Sequence, residues 1–505
     1  MSSKIYSAAL IGLNSSLVEV EADTSSGLPK FTIVGLPDAA VQEATERVRA
    51  AVKNSGFNFP YGRQTINLAP ADIKKEGPSY DLPIALALLV ATRQLSFSYR
   101  ESIFIGELSL DGGLRPVNGI LSFVQLAREK RIKNIFLPAE NANEACLIPG
   151  PKIFPCQSLG QVVNHLAKKE SIPSHRYVWK TIDLAVDSTL DMAYIKGQEH
   201  VKRALEIAAA GHHNIVMSGP PGSGKTLLAK SLTTILPEMD LGDALEVTKI
   251  YSVAGLIKPD QPLIVKRPFR SPHHTASAAS IIGGGRIPRP GEVSLAHRGI
   301  LFLDELPEFQ RGVLESLRQP LEEGEVTVAR VAGSLTYPAR FMLVAALNPC
   351  PCGYYSDPEK ECTCSPSQII RYRKKISGPL LDRIDLHLEV PRLKTEKLLS
   401  EKLGECSSEI RRRVLKAQAV QKARFKNLSC KLNSEIKAPD VEAFCRLDEP
   451  GRQLIKNSAV QLNLSARAYH KILRLSRTIA DLEGSEKIEI KHLAEALQYR
   501  PKGND

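Results

Sequence analysis

Along the opening segment MSSKIYSAALIGLNSSLVEVEAD apolar and polar residues alternate, which is the period of a half-buried β-strand. LVEVEA and FTIVGLP read as strands. The segment DAAVQEATERVRAAVKNSG shifts to the helical period, with Asp38 placed as N-cap and Gly56 just past the end. TINLAP, SIFIGEL and NIFLP read as further strands. DLPIALALLVATRQL is apolar on nearly every side and reads as a helix buried on several faces. These elements predict an α+β or α/β sandwich over residues 1–168. Periodicity then lapses over residues 169–190, which read as a linker.

A second pattern begins after it. NIVMSGPPGSGKTLLAKSL predicts a buried strand, a glycine-rich loop and a helix, the order a phosphate-binding loop requires. In that loop Gly219, Gly222 and Gly224 let the backbone bend, and Pro220, Pro221 and Ser223 complete the turn. Lys225 is placed to neutralise β and γ phosphate oxygens, and Thr226 to hold Mg²⁺. About eighty residues later, GILFLDE carries four consecutive apolar residues, Ile300 to Leu303, as expected of a parallel strand buried on both faces. Asp304 and Glu305 then emerge at its carboxyl end, the former for the Mg²⁺ shell, the latter to polarise an attacking water.

Length and charge narrow the class. A chain of 505 residues exceeds a single core, so two or three domains are expected. No run reaches the ~18 to 20 apolar residues of a membrane span, so a cytoplasmic globular protein is expected. A net charge of +12 is compatible with a polyanionic partner without establishing one. Of nine cysteines, 146, 156, 406, 430 and 445 are scattered, as in a reducing compartment. The other four lie in NPCPCGYYSDPEKECTC. Cys350, Cys352, Cys362 and Cys364 form two Cys-x-Cys pairs around nine residues, a set suited to a structural Zn²⁺.

The order of parts resembles the AAA+ ATPases of the magnesium-chelatase and MCM branch. That resemblance places Asn348, after the strand FMLVAAL, at the sensor 1 position. It gives Arg383 of SGPLLDRIDLHLEV the role of a finger reaching the γ-phosphate of a neighbouring subunit, and Arg467 of NLSARAYHKIL that of a nucleotide sensor on a small helical lid. A finger acting in trans implies a ring, six-membered in this branch. GQEHVKRAL resembles the segment near adenine, with Gln198 and Ile195 as candidates to contact the base. The resemblance implies an ATPase core over 191–392 and a lid domain over 393–505.

In the branch resembled here, insertions at two points project into a central pore, which makes the two corresponding segments candidates to contact a strand passing through it. The long connection RSPHHTASAASIIGGGRIPRPGEVSLAHRG presents Arg286 and Arg289, and EVTVARVAGSLTYPARF predicts a hairpin with Arg330 near its tip. His273 and His274 read as a hydrogen-bonded loop pair. In the first domain, KKEGPSYDLPIALAL and GELSLDGGLRPVNGILSF resemble the proteolytic domain of Lon-type proteases, with Ser79 at the nucleophile position. Leu121 stands where that family has its lysine base, so the fold is expected without peptidase chemistry.

As a whole, the chain is similar to the ComM/YifB family. GLPDAAVQEATERVRAA, GPPGSGKT, PGEVSLAHRGILFLDELPEF and NPCPCG carry that resemblance. It implies a hexameric DNA helicase using ATP and Mg²⁺ for branch migration during recombination of transforming DNA, with single-stranded, double-stranded or branched DNA and a recombinase as partners. A chelatase-like motor and an ATP-gated DNA clamp or protein remodeller remain open alternatives.

Overall fold

The computed structural model describes residues 2–176, 188–285, 288–330, 333–355, 357, 359–393, 403–426, 428, 430–462 and 464–501. Half of the expected linker, residues 177–187, and Arg286 lie outside them. The chain forms two compact units. One comprises Met1–Ile182, Leu241–Val265 and Ala329–Tyr337, the other Asp183–Asp240, Lys266–Val328 and Pro338–Asp505.

In the first unit the alternating opening segment forms strands Ser2–Ile11 and Asn14–Ser25, paired antiparallel. Arg63–Ala69 joins the second of these antiparallel, and Lys30–Val34 closes the four-stranded sheet in parallel. Alternation sends Ile5, Val18, Val20, Ile66 and Leu68 into the core. Helix Ala39–Asn54 begins at Asp38, whose Oδ1 accepts the Val41 N–H at 2.8 Å, and Gly56 beyond its end has φ 82°. Helix Asp81–Ala91 is buried at every residue but Val90. Its one charge, Asp81, accepts from Arg47 Nε at 2.7 Å, which satisfies a carboxylate that would otherwise be costly inside.

SIFIGEL does not form one strand. Ser102–Phe104 joins Asn134–Pro138 and Lys152–Cys156 in a parallel sheet, while Glu107–Leu108 pairs with Leu114–Arg115. Between them the Gly106 N–H turns away to the Ser79 carbonyl at 3.0 Å, which interrupts the ladder. The same unit includes helix Leu241–Ala254, anchored where the Gly119 N–H meets the Ser252 carbonyl at 3.1 Å.

The second unit is built on a five-stranded, wholly parallel sheet. Its order is Phe269–Arg270, Ile300–Leu303, Met342–Leu347, Ile215–Ser218, Leu386–Glu389. The first strand in sequence therefore lies between the last two, and the carboxyl ends of all five share one edge, where α/β sheets place ligands. Helices Glu199–Gly211, Lys225–Ile235 and Ser407–Arg424, with the carboxyl-terminal helices Glu449–Gln461, Ala466–Glu483 and Ile490–Gln498, share one apolar core with this sheet. Lys471 of the long helix donates to the Ile384 carbonyl at 2.8 Å, tying that helix to the last strand. Among the described residues, no helix is long and apolar enough to cross a membrane.

Candidate nucleotide site and cysteine knuckle

Three strands deliver the candidate residues to that carboxyl edge. Ile215–Ser218 leads into the glycine-rich loop, and helix Lys225–Ile235 starts directly from it. Gly222 and Gly224 have φ 75° and 87°. At Gly219 a Cβ would stand 2.2 Å from the Val390 carbonyl oxygen, so no larger residue fits there. Lys225 is buried and folds back over the loop. Its Nζ donates to the carbonyls of Gly219 at 2.7 Å and Pro220 at 2.9 Å, and lies 3.3 Å from Asn348 Oδ1. Burial pushes this ammonium below its ordinary pKa, while the carboxylates of Asp304 and Glu305 act in the opposite sense.

The neighbouring strand Ile300–Leu303 is buried throughout, and Asp304 Oδ2 beyond it accepts from Thr226 Oγ1 at 2.9 Å. A hydroxyl and a carboxylate joined in this way offer the hard oxygen pair that Mg²⁺ takes between a phosphate loop and an acidic strand. Glu305 has φ 51°, a strained value for a non-glycine residue, and its carboxylate lies 3.4 Å from Nδ1 of His274. The His273–His274 pair is closed by rings 4.1 Å apart and by a 2.9 Å contact from His273 Nδ1 to Thr275 Oγ1. The approach of His274 to Glu305 escaped the sequence reading. Its signal is topological, because edge strand Phe269–Arg270 runs parallel to Ile300–Leu303 and releases the following residues at the same edge.

Gln198 adopts a left-handed conformation at the start of helix Glu199–Gly211. Its Nε2 donates to the carbonyls of Ser223 and Pro391, each at 3.1 Å, so it braces the phosphate loop. Ile195 is buried in the apolar core of this unit. Arg383 and Arg467 are brought to each other by a third residue. Nη2 of each approaches the same oxygen of Glu322, at 2.5 Å and 2.6 Å. Glu322, in the short helix Arg318–Glu323, carried no signal in sequence.

The four cysteines converge. Their sulfur atoms all lie within 4.8 Å of one another, with Cys350 3.3 Å from Cys352 and 3.6 Å from Cys362. These separations exceed the ~2.05 Å of a disulfide and approach the ~3.8 Å edge of a tetrahedron with Zn–S bonds near 2.3 Å. Backbone N–H groups of Cys352 and Tyr355 point at the sulfurs of Cys364 and Cys350, each at 3.3 Å. Four sulfur ligands gathered this closely are compatible with a tetrahedral Zn²⁺ site. Gly353, with φ 86°, packs on the phosphate loop, where an added Cβ would come within 2.5 Å of Pro221 Cδ. The knuckle then leads into helix Pro366–Arg373, started by a capping box between Ser365 and Gln368.

The candidate strand-contacting arginines divide differently. Arg289 is exposed in a short strand, Arg289–Pro290, paired with Gly283–Gly284. Arg330 ends strand Glu325–Arg330, and two residues separate it from strand Gly333–Pro338. In the first unit Ser79 sits in a single turn ahead of helix Asp81–Ala91. Leu121 is buried in helix Ile120–Glu129, and its N–H reaches the buried carboxyl of Glu144, which burial raises to about 7.

Comparison with known proteins agrees with this layout. The magnesium-chelatase subunit ChlI family matches residues 191–398, a second ChlI region matches 20–141, and the ChlI carboxyl-terminal region matches 404–500. Competence protein ComM of Haemophilus influenzae is 45% identical over 502 residues, 98% of this chain and 97% of that protein. YifB of Salmonella typhimurium is 44% identical over 98% of this chain and 96% of its own length. The magnesium-chelatase 38 kDa subunit of Rhodobacter capsulatus is 27% identical, over 59% of this chain. Near-complete coverage at this identity shows that the chain belongs to the ComM/YifB family, within the magnesium-chelatase-like AAA+ proteins.

Proposed function

We propose that this protein is an ATP-hydrolysing ring motor that moves branched DNA during recombination. The observation that carries the reading is the convergence of Lys225, Thr226, Asp304, Glu305 and Asn348 on one edge of a parallel sheet. Lys225 and the loop N–H groups would neutralise the phosphate chain, and Thr226 with Asp304 would hold Mg²⁺. The metal supplies charge stabilisation for phosphoryl transfer. Glu305 takes a proton from water, and Asn348 orients it.

Arg383 acts on the nucleotide of a neighbouring protomer and Arg467 senses it from the lid, so the active assembly is a closed ring, a homohexamer by family likeness. DNA enters the reading through the near full-length likeness to a protein named for competence and through the basic residues Arg286, Arg289 and Arg330. Charge would grip the phosphate backbone. The amino-terminal unit is read as a non-proteolytic Lon-like domain, and the four cysteines as a structural zinc knuckle. The protein is placed in the cytoplasm, where a recombinase would act with it.

A chelatase-like motor is the second reading, favoured by the family matches to ChlI. Hydrolysis measured with and without DNA separates the two. Stimulation by DNA supports the first, and indifference to DNA supports the second.

A further inference from the structure

One oxygen of Glu322 serves two guanidiniums. Oε1 lies 2.5 Å from Nη2 of Arg383 and 2.6 Å from Nη2 of Arg467, although the arginines belong to different parts of the second unit. Arg383 precedes the last strand of the sheet, and Arg467 is the second residue of helix Ala466–Glu483. Two guanidiniums converging on a single anionic oxygen is the arrangement a terminal phosphate oxygen also accepts.

Arg383 is held back in this state. Its side chain is only 7% exposed, and its Nη1 donates to the Pro379 carbonyl in its own turn. Its Nε is buried with no hydrogen-bond partner among the described residues. Such a side chain reaches a second chain only by leaving Glu322, and an unused buried donor makes leaving less costly. The backbone beside it stays fixed, because Asn214 Nδ2 donates to the Arg383 carbonyl at 3.1 Å and Asp385 accepts the Asn214 N–H at 3.1 Å. The movement is therefore confined to the side chain.

Glu322 and Arg467 are by contrast 43% and 52% exposed, so an incoming anion has access to the shared point. The hydrogen bond from Arg383 holds the Glu322 carboxyl below its ordinary pKa, with the charges of Arg383, Arg467 and Arg318 adding to it against desolvation, so it stays ionised as a competitor for the two arginines.

We propose that Glu322 is the resting acceptor for Arg383 and Arg467, holding both within one protomer until the phosphate chain of a nucleotide on the neighbouring protomer displaces it. Glu322 is then a positioning residue that acts through the arginines. It sets how readily they transfer and couples the lid to the finger, since one displacement frees both. This inference rests on the trans reading of Arg383.

The test compares full-length wild type, Glu322→Gln, Arg383→Ala and the double variant, measuring kcat and KM for ATP and thermal melting. A neutral amide oxygen is a weaker competitor than a carboxylate, so Glu322→Gln should lower KM roughly five- to tenfold without lowering kcat. In the Arg383→Ala background the same change should lower KM less, because only Arg467 is left to be released. Glu322→Asp, with its charge kept but drawn back by one methylene, should fall between wild type and Glu322→Gln. An unchanged or raised KM in Glu322→Gln, or an equal shift in the double variant, overturns the proposal. A fall in kcat together with the melting temperature assigns Glu322 a purely structural role and overturns it as well. Mixing Arg383→Ala with wild-type chains tests the underlying reading separately. Poisoning of mixed rings with unchanged KM in Glu322→Gln refutes the proposal alone, whereas activity proportional to the wild-type fraction removes the trans contact and the proposal with it.

Discussion

Lys225 Nζ lies 3.3 Å from Asn348 Oδ1, across 123 positions of sequence, because their strands are immediate neighbours in the parallel sheet. One residue follows the glycines of the phosphate loop and the other directly follows the adjacent strand Met342–Leu347. On the reading proposed above, a cation for phosphate and an amide for water are thereby held side by side. Such preorganisation lowers the reorganisation needed at the moment of reaction.

The two charged residues of the site should fail in different ways. Lys225→Ala removes charge-assisted hydrogen bonds to phosphate and is expected to weaken nucleotide binding about 10- to 100-fold. Glu305→Gln keeps the shape and loses the base, so binding should persist while kcat falls by about a hundredfold or more. Fluorescent-nucleotide titration alongside steady-state hydrolysis checks both. Equal loss of binding in the two variants contradicts this division.

The cysteine knuckle answers a structural need beside the phosphate loop. Between Asn348 and helix Pro366–Arg373 the chain has too few apolar residues to build a core, and the proposed zinc ion would supply local folding free energy instead. Metal analysis of protein purified without chelators should find about one zinc per chain, lost when Cys350 and Cys364 are both replaced by serine. Protein free of metal under those conditions contradicts the assignment.

Gly353 links the cysteine cluster to the glycine-rich loop. Its left-handed backbone and the proline ring of Pro221 leave no room for a methyl group. Gly353→Ala is therefore expected to raise KM for ATP roughly tenfold with zinc content unchanged. Unaltered kinetics would show that the phosphate loop tolerates displacement at this point.

The amino-terminal unit should lose stability as pH rises. Burial raises Glu144 from an ordinary 4.5 to about 7, although Ser252, Asn141 and the Leu121 N–H pull in the other direction. A carboxyl with a raised folded pKa contributes fully below the unfolded pKa, and that contribution is lost as pH passes through the folded value. The shift corresponds to on the order of 3 kcal/mol, lost between about pH 4.5 and about pH 7. Melting curves from pH 5 to 8 should therefore slope downward in wild type and less steeply in Glu144→Gln, where the raised carboxyl of Asp81 still contributes. Parallel curves contradict the assignment.

Much of the nucleotide site was legible because its chemistry sits in short contiguous motifs at strand ends. Four apolar residues before Asp304 are enough to specify a doubly buried parallel strand, and a parallel strand fixes which end its acids occupy. The cysteine cluster was legible for the same reason, although the Gly353–Pro221 contact was not, since nothing local indicates what a loop packs against. Glu322 and His274 were invisible because their importance comes from partners at positions 383, 467 and 305, distant in sequence. SIFIGEL misled because its alternation continues through Gly106 while its hydrogen bonds do not. Helix Leu241–Ala254 belongs with the amino-terminal unit through tertiary contacts such as that of Gly119 with Ser252, which periodicity cannot reveal.

The measurement that bears most directly on the proposed activity is strand displacement from a forked DNA duplex, followed together with ATP hydrolysis, with Glu305→Gln as the control that binds without turning over. The account predicts hydrolysis stimulated by DNA, weakened steeply by added salt, and displacement that requires ATP and is absent in Glu305→Gln. Hydrolysis indifferent to DNA, with no displacement at any ATP concentration, would contradict it.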